Sequence, residues 1–306
     1  MEKKFKGIFS ALITPFDKNG KVNVEQLEKI VEFEVSKLNI DGLYVCGSTG
    51  EAFLMGYEER SLVMKVVANV VKNKLKANTQ LVAQIGGLNI FEIEKLAKDA
   101  KEFGYHGISA VTPFYYGFSF ADIKKYYELI TSFTDLPLLI YYLPALTAVN
   151  ISLDNFVELL QMKNVAGAKY SSPDLFMLER LIAKCPDKTF LFGVDEFLMA
   201  ATTLGIDGAI GSTYNLMGAA AKNIFALAKN KELDKAKVLT SKYNKILKDM
   251  LDGGIYQTLK QSVAIASGIQ GEIYCRTPMR QIDEKAKTIS NQIVKELFAD
   301  LQSGVK

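Results

Sequence analysis

Short apolar runs rich in β-branched and aromatic residues alternate with longer stretches of helical period along this 306-residue chain. That alternation predicts an α/β protein, a (β/α)8 TIM barrel with a C-terminal helical extension. Two further features agree. The apolar runs are nearly continuous in hydrophobicity, as strands of a parallel sheet buried on both faces must be. The first run leads into Thr14-Pro15-Phe16-Asp17 with no G-x-G-x-x-G turn, which argues against the main alternative, an open doubly wound sheet.

The runs place strands at 7–13, 42–46, 81–85, 107–111, 138–142, 165–168, 190–193 and 208–210. Between the first two, 24–38 sets Leu27, Ile30, Val31, Glu34 and Val35 on one helical stripe, four of the five apolar. Helices of the same kind are expected at 61–74, 90–103, 121–132, 153–162 and 175–185. Eight strand–helix units fill about 230 residues, the size of one barrel. The rest has helical period without strand signals, at 233–251, 255–266 and 283–301. No Pro/Gly/Ser linker sets it apart, so the expected organisation is a barrel over 1–230 with helices of 231–306 packed on it.

Composition excludes several classes. A formal net charge of +3, with Lys and Arg scattered, gives no electrostatic case for nucleic acid or an anionic membrane. No segment approaches the roughly 18 apolar residues of a spanning helix. Cys46, Cys185 and Cys275 are too few and too far apart for a disulfide framework, and a reducing cytoplasm is the simplest setting. His106 is the only histidine and precedes the fourth strand, so neither a His-based metal site nor a Ser-His-Asp triad is expected.

In a barrel the chemistry gathers at strand C-termini and the loops after them. Lys169 follows the apolar run Val165-Ala166-Gly167-Ala168. An ammonium against apolar walls loses hydration, its pKa falls, and the free amine becomes a Schiff-base nucleophile; a lysine that snorkels to solvent is the plainer reading. Tyr141 closes the preceding strand and its phenol can give and take a proton. Gly47-Ser48-Thr49-Gly50-Glu51 offers two hydroxyls and backbone N–H groups as a carboxylate seat, or simply a turn with a cap. Asp195-Glu196 and Ser212, after strands seven and eight, suit a neutral polyol better than a phosphate, which two carboxylates would repel. Tyr115-Tyr116 forms an aromatic pair that either walls the pocket or packs on a neighbouring subunit.

At these residues the sequence resembles the dihydrodipicolinate synthase/N-acetylneuraminate lyase superfamily, from about residue 7 to 280. The likeness rests on Gly42-Leu43-Tyr44-Val45 with Gly47-Ser48-Thr49-Gly50-Glu51-Ala52-Phe53, on Val111-Thr112-Pro113-Phe114-Tyr115-Tyr116, and on Gly211-Ser212-Thr213-Tyr214-Asn215. It implies a class I aldolase with no metal and no cofactor, cleaving N-acetylneuraminate reversibly to N-acetylmannosamine and pyruvate. Lys169 falls on the family's Schiff-base lysine, Tyr141 on its catalytic tyrosine, and Ser48 and Thr49 on its carboxylate-binding pair. Ser171, Gly193, Asp195, Glu196 and Ser212 fall on sugar-contacting positions, and Tyr115 on an aromatic near the subunit interface of what is usually a homotetramer. Leu146 stands where the synthase branch carries Arg, and an apolar side chain there cannot make the charge-assisted contact to a second carboxylate. Tyr142, Ser171 and Tyr256 depart from the lyase branch's usual residues without removing a reactive group. Another pyruvate aldolase, or a binding barrel without catalysis, are the competing expectations.

Overall fold

The computed structural model describes residues 3–302. Eight parallel strands close into a barrel in chain order, β1 (Gly7–Ala11), β2 (Gly42–Val45), β3 (Gln80–Gln84), β4 (Gly107–Val111), β5 (Leu138–Tyr142), β6 (Val165–Tyr170), β7 (Thr189–Phe192) and β8 (Gly208–Gly211). The expected TIM barrel is therefore the observed one. β6 runs two residues beyond its apolar stretch, because Lys169 and Tyr170 keep the ladder with Leu191 and Phe192 of β7.

The helices of the outer ring are α1 (Val24–Ser36), α2 (Tyr57–Asn69), α3 (Ile90–Glu102), α4 (Phe120–Phe133), a short α5 (Pro144–Thr147), α6 (Leu153–Leu160), α7 (Leu175–Lys184), a short α8 (Leu198–Thr203) and α9 (Tyr214–Lys229). Asn23, Ser119, Ser152 and Asp174 cap four of them by accepting from backbone N–H groups of the first turn. α2 starts four residues earlier than its hydrophobic period suggests, with Glu58 and Glu59 favouring its N-terminus, and it widens into a π turn at Val70–Lys74. Three more helices complete the fold, α10 (Leu233–Gly253), α11 (Ile255–Ser267) and α12 (Glu284–Gln302). α11 packs against α1, α9, α10 and α12, which explains why it is buried on most of its surface.

Strand parity sorts side chains into two cores. Ile8, Leu43, Val45, Ala83, Ile108 and Ile140 face the helices, while Phe9, Tyr44, Val82, Leu139, Tyr141 and Leu191 fill the barrel. Among the described residues no helix is long and apolar enough to cross a membrane. All three cysteines are free and buried.

Candidate active site

Tyr141 and Lys169 are direct register partners on β5 and β6, so both point into the barrel at the same level. Lys169 is 4% exposed and its ammonium lies 4.0 Å from the Tyr44 ring centroid and 4.1 Å from that of Tyr141. Among the described residues it has no ion-pair or hydrogen-bond partner. Burial pulls its pKa down to about 7, and the Asp195 carboxylate only partly opposes that. Holding the charged form there costs about 5 kcal/mol relative to an ordinary lysine, so near neutrality much of the side chain is a free amine.

The cage around the amine is built from neighbouring strands. Tyr44, on β2, is fully buried and donates to Ser109 Oγ at 3.0 Å, while Ser109 donates to the Leu139 carbonyl. Tyr141 Oη lies 3.3 Å from Ser48 Oγ. Burial pushes the Tyr141 phenol up to about 12, and the Ser48 contact pulls the other way, so the hydroxyl is protonated throughout the neutral range. A protonated phenol beside a free amine is able to donate a proton and, once a base forms next to it, to accept one.

Ser48 and Thr49 sit in a tight turn between Cys46 and Glu51, two non-glycine residues in the left-handed region at φ 60° and 56°. Thr49 Oγ1 and Ser212 Oγ are 2.7 Å apart, which joins the loops after β2 and β8. Asp195 begins a 3-10 turn after β7 and accepts from both the backbone N–H and the hydroxyl of Thr213, which also contacts the Tyr243 hydroxyl of α10. Withdrawal from water raises the Asp195 carboxyl to about 6 despite the Thr213 hydrogen bonds. Ser171, 6% exposed, crowds Gly193: a Cβ at Gly193 would collide with Ser171 Oγ and stand 3.4 Å from Lys169 Cε. Glycine is therefore required there to leave room for a hydroxyl beside the amine. Beside Ser48 opens a cavity of about 200 Å3 lined by Phe53, Phe114, Leu143, Leu146 and Tyr256, an apolar annex to the mouth.

Lys169, Tyr141, Ser48, Thr49, Ser171, Gly193, Asp195 and Ser212 are thus gathered at one end of the barrel. Two other candidates lie at the same end, on the loops after β7 and β4, but outside the enclosed cluster. Glu196 is exposed, with its carbonyl accepting from Asn244 Nδ2, and Tyr115 is 84% exposed, its ring edge-on to Tyr116. Asn215 closes the β1–β8 seam by accepting from Ile13 N and donating to the Ala11 and Ser212 carbonyls.

Sequence reasoning passed over Tyr44, Thr213, Tyr243 and Lys260. Strand parity could have found Tyr44, since it is a large aromatic on an inward position of β2. Lys260 had a signal too, as the only charged residue of α11; Thr213 and Tyr243 offered none.

Comparison with known proteins agrees with this architecture. Residues 4–297 match the model of the dihydrodipicolinate synthetase family. The N-acetylneuraminate lyase of Fusobacterium nucleatum is 41% identical over 293 residues, covering 96% of this chain and 99% of the relative. That of Clostridium perfringens is 40% identical over 296 residues, covering 96% and 100%. Among solved structures, CdNal from Clostridium difficile in complex with mannosamine superposes with a TM-score of 0.91 at 40% identity, over 95% of this chain and 98% of that one. With a family match spanning nearly its whole length and relatives this similar end to end, the chain belongs to the dihydrodipicolinate synthetase family.

Proposed function

We propose that this protein is a class I aldolase that cleaves N-acetylneuraminate reversibly to N-acetylmannosamine and pyruvate. The observation that carries the proposal is the enclosed, unpaired Lys169 amine with a pKa near 7, set at register with Tyr141. The names of the relatives support the choice of substrate.

Lys169 Nζ attacks the keto carbon of the open-chain sugar acid, and loss of water leaves a protonated imine. Tyr141 Oη, having given its own proton to the departing water, takes the proton of the hydroxyl that becomes the aldehyde. The carbon–carbon bond next to that hydroxyl breaks, and its electron pair flows into the imine to give an enamine. Protonation of the enamine carbon and hydrolysis release pyruvate and restore the amine. Ser48 and Thr49 receive the keto-acid carboxylate. Ser171, Gly193, Asp195, Glu196 and Ser212 border the polyol; Asp195 is engaged by Thr213, so it acts from a fixed position. Leu146, beside Ser48, leaves no cation for a second carboxylate, which favours a sugar acid over an aspartate-derived partner. The C-terminal helices α10, α11 and α12 brace the barrel. The exposed Tyr115 and Tyr116 suit burial against another copy in a homotetramer.

Borohydride reduction with N-acetylneuraminate as the only substrate, followed by peptide mass mapping, tests this. The expected result is a reduced pyruvate adduct on Lys169. An adduct only when free pyruvate is supplied would keep the aldolase chemistry and reject the sugar substrate.

A further inference from the structure

Glu51 ends the turn that carries Ser48 and Thr49, and its backbone is left-handed at φ 56°. Such a conformation is cheap for glycine and costly for a long side chain, and it persists only where the surroundings over-determine it. The turn is already seated by Gly50, where a Cβ would stand 2.9 Å from the Leu12 carbonyl. What a glutamate adds at the next position is reach. Its carboxylate extends to Lys260 of α11, an ion pair whose two side chains are 1% and 0% exposed and whose partners lie 209 residues apart in sequence.

Each member of the pair makes a further hydrogen bond. Glu51 Oε2 accepts from the Arg276 backbone N–H at 2.7 Å, and Lys260 donates to the Tyr274 carbonyl at 2.9 Å. Lys260 and the Arg276 guanidinium both lie over the Phe16 ring, at 4.7 and 4.5 Å. Arg276 in turn pairs with Glu59 of α2 and donates to the Leu54 carbonyl. The β2 loop, the β1 loop, α2, α11 and the 274–276 segment are thus tied at one point. Replacing a buried ion pair by apolar residues is often neutral or stabilising, so net stability does not account for this one; a fixed geometry does.

We propose that Glu51 and Lys260 are positioning residues for keto-acid binding, their buried ion pair fixing the turn that aims Ser48 and Thr49 at the substrate carboxylate. This inference rests on the Schiff-base reading of Lys169. It assigns Lys260 and the 274–276 segment a part in substrate binding that they perform through the turn rather than by contact with the substrate.

The test is borohydride trapping on Lys169 in the full-length chain, titrated once with pyruvate and once with acetone, a ketone that lacks the carboxylate. Lys260→Met is expected to raise the half-saturating pyruvate concentration roughly ten- to a hundredfold and to leave the acetone titration unchanged. Where Lys260→Met does not fold, the double variant Glu51→Gln/Lys260→Met, which leaves no buried charge unpaired, is read in the same way. An unchanged pyruvate titration, or an equal loss for both ketones, overturns the positioning role while the aldolase reading stands. If the unmodified protein forms no pyruvate adduct on Lys169, both fall together.

Discussion

Both ends of the barrel pair most of their polar groups, but only one holds a buried amine left unpaired among the described residues. At the end where the strands begin, polar side chains are paired and stitch neighbouring elements together. Asp207 accepts from Phe190 N and Lys3 Nζ, Asp41 accepts from Ile8 N and Lys222 Nζ, and His106 Nδ1 accepts from Leu81 N. At the end where they finish, Lys169 is buried with no hydrogen-bond or ion-pair partner among the described residues. Paired groups contribute stability; an unpaired buried amine is tolerated where it is used. Substitutions at the two ends should therefore fail in different ways.

The largest effect is expected at Lys169. Lys169→Ala should lower turnover by about four orders of magnitude or more, because no other amine can form the imine; activity within tenfold of the parent would refute the mechanism. The same residue should be a burden on the fold. Its folded pKa of about 7 lies below that of the unfolded chain, so the folded state binds fewer protons. The cost is greatest below pH 7 and is relieved as pH rises toward the ordinary lysine range. Lys169→Met should thus raise stability by several kcal/mol, up to about 5, at pH 6 and by only about 1 kcal/mol at pH 10. Equal gains at both pH values would mean that Lys169 is not held near neutrality.

Tyr141→Phe comes next. It keeps the ring over the Lys169 amine and removes only the hydroxyl, so pyruvate should still be trapped while cleavage slows by about 10²–10⁴-fold. A normal cleavage rate would take the proton-transfer role from Tyr141.

How much of this contrast could be read from the sequence depends on distance along the chain. All eight strands and most of the major helices were legible because each is a local pattern of hydrophobicity, and Lys169 was legible as a charge ending an apolar run; the helix Tyr214–Lys229, kinked at Met217, was given no range. The short helices at Pro144–Thr147 and Leu198–Thr203 have too few turns to show a period. Asp195 and Ser212 read as free hydrogen-bonding groups after strand ends, yet one is held by Thr213 and the other by Thr49. Glu51 looked like part of a turn, and its partner Lys260 lies far beyond any local pattern. Pairings between distant segments are set by closure of the barrel, which a single sequence does not display.

A smaller effect of the opposite kind is expected at the floor. Asp207→Asn should cost about 1–3 kcal/mol of stability, since the charge-assisted hydrogen bond to Lys3 is lost and the one to Phe190 N is weakened. Turnover measured well below the melting temperature should not change. A fall in turnover without a fall in stability would break the division between the two ends.

Glu34 is the sharpest challenge to that division, because it is a fully buried carboxyl on α1 with no ion pair among the described residues. It occupies the apolar stripe of α1, and only the Ser10 hydroxyl is set against it; burial drives its pKa well above the ordinary value. The division survives if Glu34 is simply uncharged in the fold. A raised folded pKa means that the folded state holds a proton the unfolded chain gives up, so stability is intact below about pH 4 and declines as pH rises above it. Glu34→Gln supplies the neutral shape at every pH. It should match the parent near pH 4 and exceed it at pH 8, as read from denaturant midpoints, with turnover unaffected. A variant less stable than the parent at pH 8 would mean that the carboxylate itself is needed, and that unpaired charge is not reserved for the catalytic end.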